Sequence, residues 1–372
     1  MAEEQTKTEH TFVDDTLTKS MKKITPGNGV DSILNALPQK PQNRYRFLRS
    51  IGFGGMKTVL LVHDNDTDRD IAMALMPDFK ERSGFDQERF VKEALLTAKL
   101  EHPNIVPVHD IGVDSTGSPY FTMKFLHGQS LETLLKKLKK GDPETVSQYG
   151  LERLLQIFTR ICNAIEFAHS KGICHLDLKP SNISLGEYGE VQVIDWGLAR
   201  PFNTIETHIT KQLPDGQHVV SGTPGFMSPE QIHNSLDIPV GKRSDIYSLG
   251  CILYSMLALS HPLEDCDLHE TFRRTVTGNI PRPSKAAPED RHVPSAIEAV
   301  CLKAMALRQT DRYRDVCELR EDVFAFLTGF VPKAENASAL KHAGLFINRN
   351  LLIILLLLCL GLTTALIAVL FK

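Results

Sequence analysis

The apolar period of this chain changes once, near Gly128, and that change limits the folds open to it. Before it, short runs alternate with period two. Tyr45-Arg46-Phe47-Leu48 leads into a glycine turn, Val59-Leu60-Leu61-Val62 forms a second run, and Asp64-Asn65-Asp66 marks the hairpin between it and a third, Ile71 to Met76. Two more runs lie around Val106–Val113 and Tyr120–Phe125. One helical pattern interrupts them, from Phe85 to Leu100, ending before His102-Pro103-Asn104. Beyond Gly128 the period is helical. Leu151–Ser170 carries Leu154, Leu155, Phe158, Ile161, Cys162 and Ile165 on one side. Asp245–Leu259 is apolar enough to sit at the centre of a lobe, and Ile297–Leu307 and Val316–Leu327 close it. Strands followed by helices imply an α+β fold. We expect a first lobe over 44–126 with five strands and one main helix, and a mostly helical second lobe over 127–330.

The flanks read differently. Residues 1–43 are rich in Thr, Lys, Glu and Asp, carry no apolar core of a signal peptide, and read as a disordered polar tail. Thr6, Thr8, Thr11, Thr16 and Thr18 are candidate phosphorylation sites there, against the plain reading of a solvated tail. Residues 331–350 read as a juxtamembrane linker. Residues 351–371 are uncharged and apolar all round, with only Gly361, Thr363 and Thr364 as mild interruptions. At ~1.5 Å per residue such a helix is about 31 Å long, enough to cross a hydrocarbon core. We expect a single C-terminal transmembrane helix. Lys333, Lys341 and Arg349 precede it and only Lys372 follows, which favours a cytoplasmic domain. Self-association through the anchor stays open, with no Gly-xxx-Gly pair to support it. The net charge of −3 gives no reason to invoke nucleic acid. The cysteines have no spacing for zinc or a disulfide framework and read as reduced, mostly buried thiols.

The chemistry concentrates in His175-Leu176-Asp177-Leu178-Lys179-Pro180-Ser181-Asn182, followed by Asp195-Trp196-Gly197. One acid to orient or deprotonate a hydroxyl, a lysine to meet a phosphoryl group, and an Asn and an Asp to offer oxygens to Mg²⁺ are what phosphoryl transfer needs. Upstream, Gly52-Phe53-Gly54-Gly55-Met56-Lys57-Thr58-Val59 sits between two strands, where glycines let backbone approach phosphates. Together these motifs resemble the eukaryotic-like (Hanks-type) Ser/Thr protein kinase family, over roughly residues 44 to 328.

The resemblance implies a bilobal kinase fold with ATP and Mg²⁺ as cofactors. It implies Asp177 as catalytic base, Lys179 on the γ-phosphoryl, and Asn182 and Asp195 on the metal. Gly52, Gly54, Gly55, Val59, Ala72, Met123 as gatekeeper, the carbonyl of Lys124 and the amide of Leu126 would surround the nucleotide. Thr223, in Gly222-Thr223-Pro224, would bridge Asp177 and Lys179 at the substrate-docking end. Glu230 should pair with Arg312 as a structural ion pair, and Asp245 should hold the catalytic loop by its backbone. A protein Ser/Thr hydroxyl is the implied acceptor.

Three positions depart from the family. Leu176 replaces the arginine that pairs with an activation-loop phosphate, so activation should not need a phosphate bound there. Trp196 replaces the phenylalanine of the metal loop. Ala74, in Ile71-Ala72-Met73-Ala74, replaces the strand-three lysine, although its partner glutamate is kept as Glu93. Period two points Lys57 to the same side as Val59, toward the phosphates and Glu93. That substitution is similar to the with-no-lysine kinases. Three readings stay open: relocation of the lysine to Lys57, a degraded pseudokinase that serves as a nucleotide-binding or scaffolding module, and a solvent-facing Lys57 rescued by another residue such as Lys80.

Overall fold

The structure, a computed structural model, describes residues 44–53, 57–202, 210–212, 218–220, 222–233, 239–335, 344–345, 347 and 350–370. The tail expected over 1–43, loop glycines Gly54 and Gly55, and most of the expected linker lie outside them. The chain divides into two compact units. One runs to His127 and takes in Ile194–Ala199; the other holds Gly128–Val193 and the residues from Arg200 onward.

The first unit is a five-stranded antiparallel sheet of β1 (Tyr45–Phe53), β2 (Thr58–Asp64), β3 (Arg69–Leu75), β4 (Val108–Val113) and β5 (Pro119–Lys124), in the order β1-β2-β3-β5-β4. Its helix, α1, spans Gly84–Ala98, and the Ser83 hydroxyl caps it by accepting the Asp86 N–H at 3.2 Å. Period two sorts β3 by face. Ile71 and Met73 join Val62 and Tyr120, whereas Ala74 and Met76 join Phe79, Phe90, Ala94 and Phe121. Ala74 is thus sealed among apolar side chains from α1 and β5.

Arg44 pins the start of this unit. Its guanidinium donates to both carboxylate oxygens of the buried Asp64 at 3.1 Å and to Asp110 at 2.8 Å. The Arg44 hydrogen bonds hold the Asp64 carboxyl down at about 2. A depressed carboxyl contributes stability that is present above its unfolded pKa and lost as pH falls through the folded one. Asp64 should therefore add about 2 kcal/mol at neutral pH, fading between about pH 4 and pH 2. Urea unfolding of wild type and Asp64→Asn should differ by that amount at pH 7 and converge toward pH 2.5. A gap that does not shrink with acid would contradict this assignment.

The second unit opens at Gly128, where φ is +152° and a Cβ would collide with the Leu185 carbonyl oxygen, so glycine is required. That glycine starts β6 (Gly128–Ser130), which pairs with β7 (Ile183–Gly186), itself paired with β8 (Val191–Val193). The main helices are α2 (Leu131–Lys139), α3 (Leu151–Ser170), α4 (Lys242–Ala258), α5 (Leu268–Thr277), α6 (Ser295–Ala304) and α7 (Val316–Leu327). Helix α4 is buried from Ser244 to Ala258, the mark of a helix enclosed on every side. Gly250 lets α6 approach it: a Cβ there would lie 2.6 Å from Met305 Cγ.

A last helix, α8, runs Leu351–Leu370. Among the described residues no helix is long and apolar enough to cross a membrane. The transmembrane helix expected over 351–371 is thus not found among the described residues.

Candidate active site

Each unit carries one half of the chemistry. In the first, Lys57 lies one residue before β2, and the β1–β2 register sets Phe53 opposite Thr58 and Gly52 opposite Val59. The Lys57 ammonium bonds to Glu93 Oε1 and, at 2.8 Å, to Asp195 Oδ1. Glu93 is buried on the inner face of α1. Burial pushes its carboxyl up and opposes the Lys57 charge, yet the two carboxylates outweigh burial at Lys57 and raise its pKa. The ammonium is held charged. Lys80, by contrast, donates to the Thr116 carbonyl at 2.8 Å, on an exposed turn, and is committed elsewhere.

The rest of this half follows the strand pairing. Val59 faces Ala74 across β2–β3, and Ala72 faces Met123 across β3–β5. The Lys124 N–H bonds to the Pro107 carbonyl at 3.1 Å, and Leu126 sits on the chain that leaves β5. Asp195 has φ +63°, a left-handed conformation that costs roughly 1 kcal/mol or more for a non-glycine residue. Arg89 of α1 donates to the Gly197 carbonyl at 2.6 Å and so ties the metal loop to the helix bearing Glu93. The sequence reading gave Arg89 no role. It lies one helical turn before Glu93, and that spacing was the available signal.

In the second unit three side chains form a closed triangle. The Thr223 hydroxyl donates to Asp177 Oδ1 at 2.8 Å and accepts from the Lys179 ammonium at 2.6 Å; Lys179 lies 2.9 Å from Asp177 Oδ2. The expected bridge by Thr223 is present. Asn182, which is buried, donates its amide to the Asp177 carbonyl at 2.9 Å, which leaves Oδ1 as its acceptor oxygen. An amide oxygen of that kind in this unit, and a carboxylate such as Asp195 in the first, are each donor types that Mg²⁺ accepts.

The loop is held from beneath. Buried Asp245 accepts the His175 N–H at 2.9 Å and the Leu176 N–H at 2.8 Å, and its Oδ2 is 2.8 Å from His169 Nε2. Leu176 has φ +63°. Two bonds hold that strained residue: Asp245 at its N–H, and Gln231 Nε2, which donates to its carbonyl at 3.0 Å. His169 and Gln231 were missed in the sequence. His169 continues the buried face of α3, four residues after Ile165. Gln231 follows the Ser228-Pro229-Glu230 motif, but nothing in its type or spacing signals this role. Glu230 and Arg312 form the expected pair, doubly bonded at 2.8 and 2.9 Å with both side chains buried. Burial alone would raise the Glu230 carboxyl, but the Arg312 fork and Ser244 hold it below its ordinary range.

The first unit thus holds a cation beside two carboxylates, and the second an acid–lysine–hydroxyl triangle, the kinds of group that phosphoryl transfer uses. The family model described as a protein kinase domain matches residues 45–324. The chain belongs to the protein kinase family. It is 36% identical over 300 residues to the serine/threonine-protein kinase PknD of Protochlamydia amoebophila, with 77% of this chain and 30% of that protein covered. It is 33% identical over 307 residues to the protein of the same name in Chlamydia trachomatis serovar D, covering 77% and 32%. For the Chlamydia pneumoniae protein of that name the identity is 34% over 300 residues, covering 77% and 31%. The chain spans about a third of the length of these curated relatives.

Proposed function

We propose that this chain is a Ser/Thr protein kinase that transfers the γ-phosphoryl of MgATP to a protein hydroxyl. The observation that carries the reading is the triangle at Asp177, in which the carboxylate already orients a threonine-type hydroxyl beside a lysine ammonium. In the reaction a substrate hydroxyl takes the place of the Thr223 hydroxyl at Asp177. Its oxygen bonds to the γ-phosphorus, the bond to the β-bridging oxygen breaks, ADP departs with that electron pair, and Asp177 receives the hydroxyl proton. Lys179 offsets charge on the phosphoryl oxygens. Asn182 and Asp195 each offer an oxygen to Mg²⁺, which when bound neutralises phosphate charge. Lys57, held by Glu93, takes the phosphate-binding role that Ala74 cannot fill, and the glycine loop, Val59, Ala72, Met123, Lys124 and Leu126 line the nucleotide.

The test is incubation of the full chain with MgATP and a generic basic protein, followed by phosphoamino-acid analysis. Phosphoserine and phosphothreonine are expected, on the added protein or on the chain itself. Nucleotide binding without any phosphate transfer would replace this reading with the pseudokinase scaffold that Ala74 first suggests.

The same proposal includes a membrane anchor. The support is the apolar sequence of α8, about 30 Å long by its residue count, with side chains such as Leu352 and Leu356 at 77% and 70% exposure. The kinase domain then lies on the cytoplasmic side, where ATP is available. The full chain should float with lipid vesicles after alkaline washing, and a chain ending at Lys341 should not. Equal flotation of the two would remove the anchor.

A further inference from the structure

The second unit has a concave pocket away from the Asp177 triangle. It is shallow and is lined by Tyr149, Arg153, Gln156 and Arg160, with Leu185, Gly186, Gly189, Glu190 and Val191 opposite them. Arg153 and Arg160 lie two helical turns apart on α3, both exposed. Arg160 is steadied by the Gly189 carbonyl, and Arg153 reaches Gln156 only at 3.5 Å. Neither forms an ion pair with a carboxylate among the described residues. Glu190, the acid in the lining, turns its Oε2 to the Tyr188 N–H at 3.1 Å. Tyr188 lies in the turn closed by the Gly189 N–H on the Gly186 carbonyl, between two lining glycines, and is 93% exposed.

Two exposed guanidiniums, one of them steadied, and an exposed aromatic ring suit a peptide with closely spaced carboxylates. This chain contains one. Residues 1–15 carry Glu3, Glu4, Glu9, Asp14 and Asp15 against Lys7 alone, with Phe12 and Val13 beside the last acidic pair. Residues 16–43 can span up to about 90 Å, so length does not limit the reach of that segment. We propose that the pocket at Arg153 and Arg160 is an intramolecular docking site for the acidic N-terminal segment, with Asp14 and Asp15 on the guanidiniums and Phe12 against Tyr188. The proposal does not depend on the kinase reading, because it involves neither Asp177 nor Lys57.

The experiment uses the full chain in detergent with Tyr188→p-benzoylphenylalanine, irradiated and digested for mass spectrometry. A crosslink to residues 1–18 is expected, with a yield independent of protein concentration. Arg153→Glu with Arg160→Glu should lower that yield at least about tenfold at low salt, and adding Asp14→Lys with Asp15→Lys should restore most of it. Arg153→Gln with Arg160→Gln reads the same loss should the charge-reversed chain melt early. Crosslinking to a second copy, recognised by concentration dependence, would overturn the proposal. So would a yield indifferent to the arginines, or products that lack the N-terminal segment.

Discussion

Lys57→Gly is expected to lower the phosphoryl-transfer rate by on the order of 10²–10³-fold, the usual loss when one preorganised charge is removed from a developing anion. Asp177→Ala, which removes the base, gives the background against which to read it. The reason is geometric. The Lys57 ammonium is the cation bonded to both Glu93 and Asp195, and Lys80 is occupied on a distant turn. The decisive variant is Lys57→Gly with Ala74→Lys, which should recover part of the rate. Recovery is partial because Ala74 is packed against Phe90, Ala94 and Phe121, and a longer side chain there must displace them. Melting curves separate this from unfolding, since Lys57→Gly also leaves a buried Glu93 without its cation. Transfer by Lys57→Gly at the wild-type rate would end the relocated-lysine account and leave the kinase reading intact.

Arg312→Ala is expected to destabilise the protein by about 3–5 kcal/mol, the cost of leaving a buried charge without its partner. Glu230 would then keep the Ser244 hydroxyl, at 2.7 Å, and a bond from its own backbone, but no cation. The arginine also donates to the carbonyls of Ala306, Arg243 and Leu307, so its loss removes those bonds as well. Removing both charges with Glu230→Met and Arg312→Met should cost less than Arg312→Ala alone. Unfolding in urea measures each. A loss under 1 kcal/mol for Arg312→Ala would mean that water reaches Glu230 and that the pair is not a buried one.

Elements with a strong apolar period were legible to the residue. Helices α3 and α7 fall at Leu151–Ser170 and Val316–Leu327 as read from the sequence. Helix α5 was not identified, because its buried residues are Thr271 and Thr275 and its surface is charged, so no apolar stripe marks it. Strands β6 to β8 are too short for an alternation to register. Within the site, strand parity pointed Lys57 toward Glu93 while a solvent-facing reading stayed open, and the Asp177–Lys179–Thr223 triangle was implied by the resemblance to the kinase family. The supports were not. Gln231, Arg89 and His169 act through a backbone carbonyl or a distant carboxylate, and contacts of that kind leave no period or spacing in the chain.

The sealed Ala74 also bears on chemical labelling. In the nucleotide-binding mode proposed above, an electrophilic nucleotide analogue seeking an amine beside the phosphates would meet a methyl group on β3 and an ammonium on the glycine loop. Digests of labelled protein should therefore carry the adduct on the peptide containing Lys57, and inhibitors built to capture a strand-three amine should pass this enzyme by.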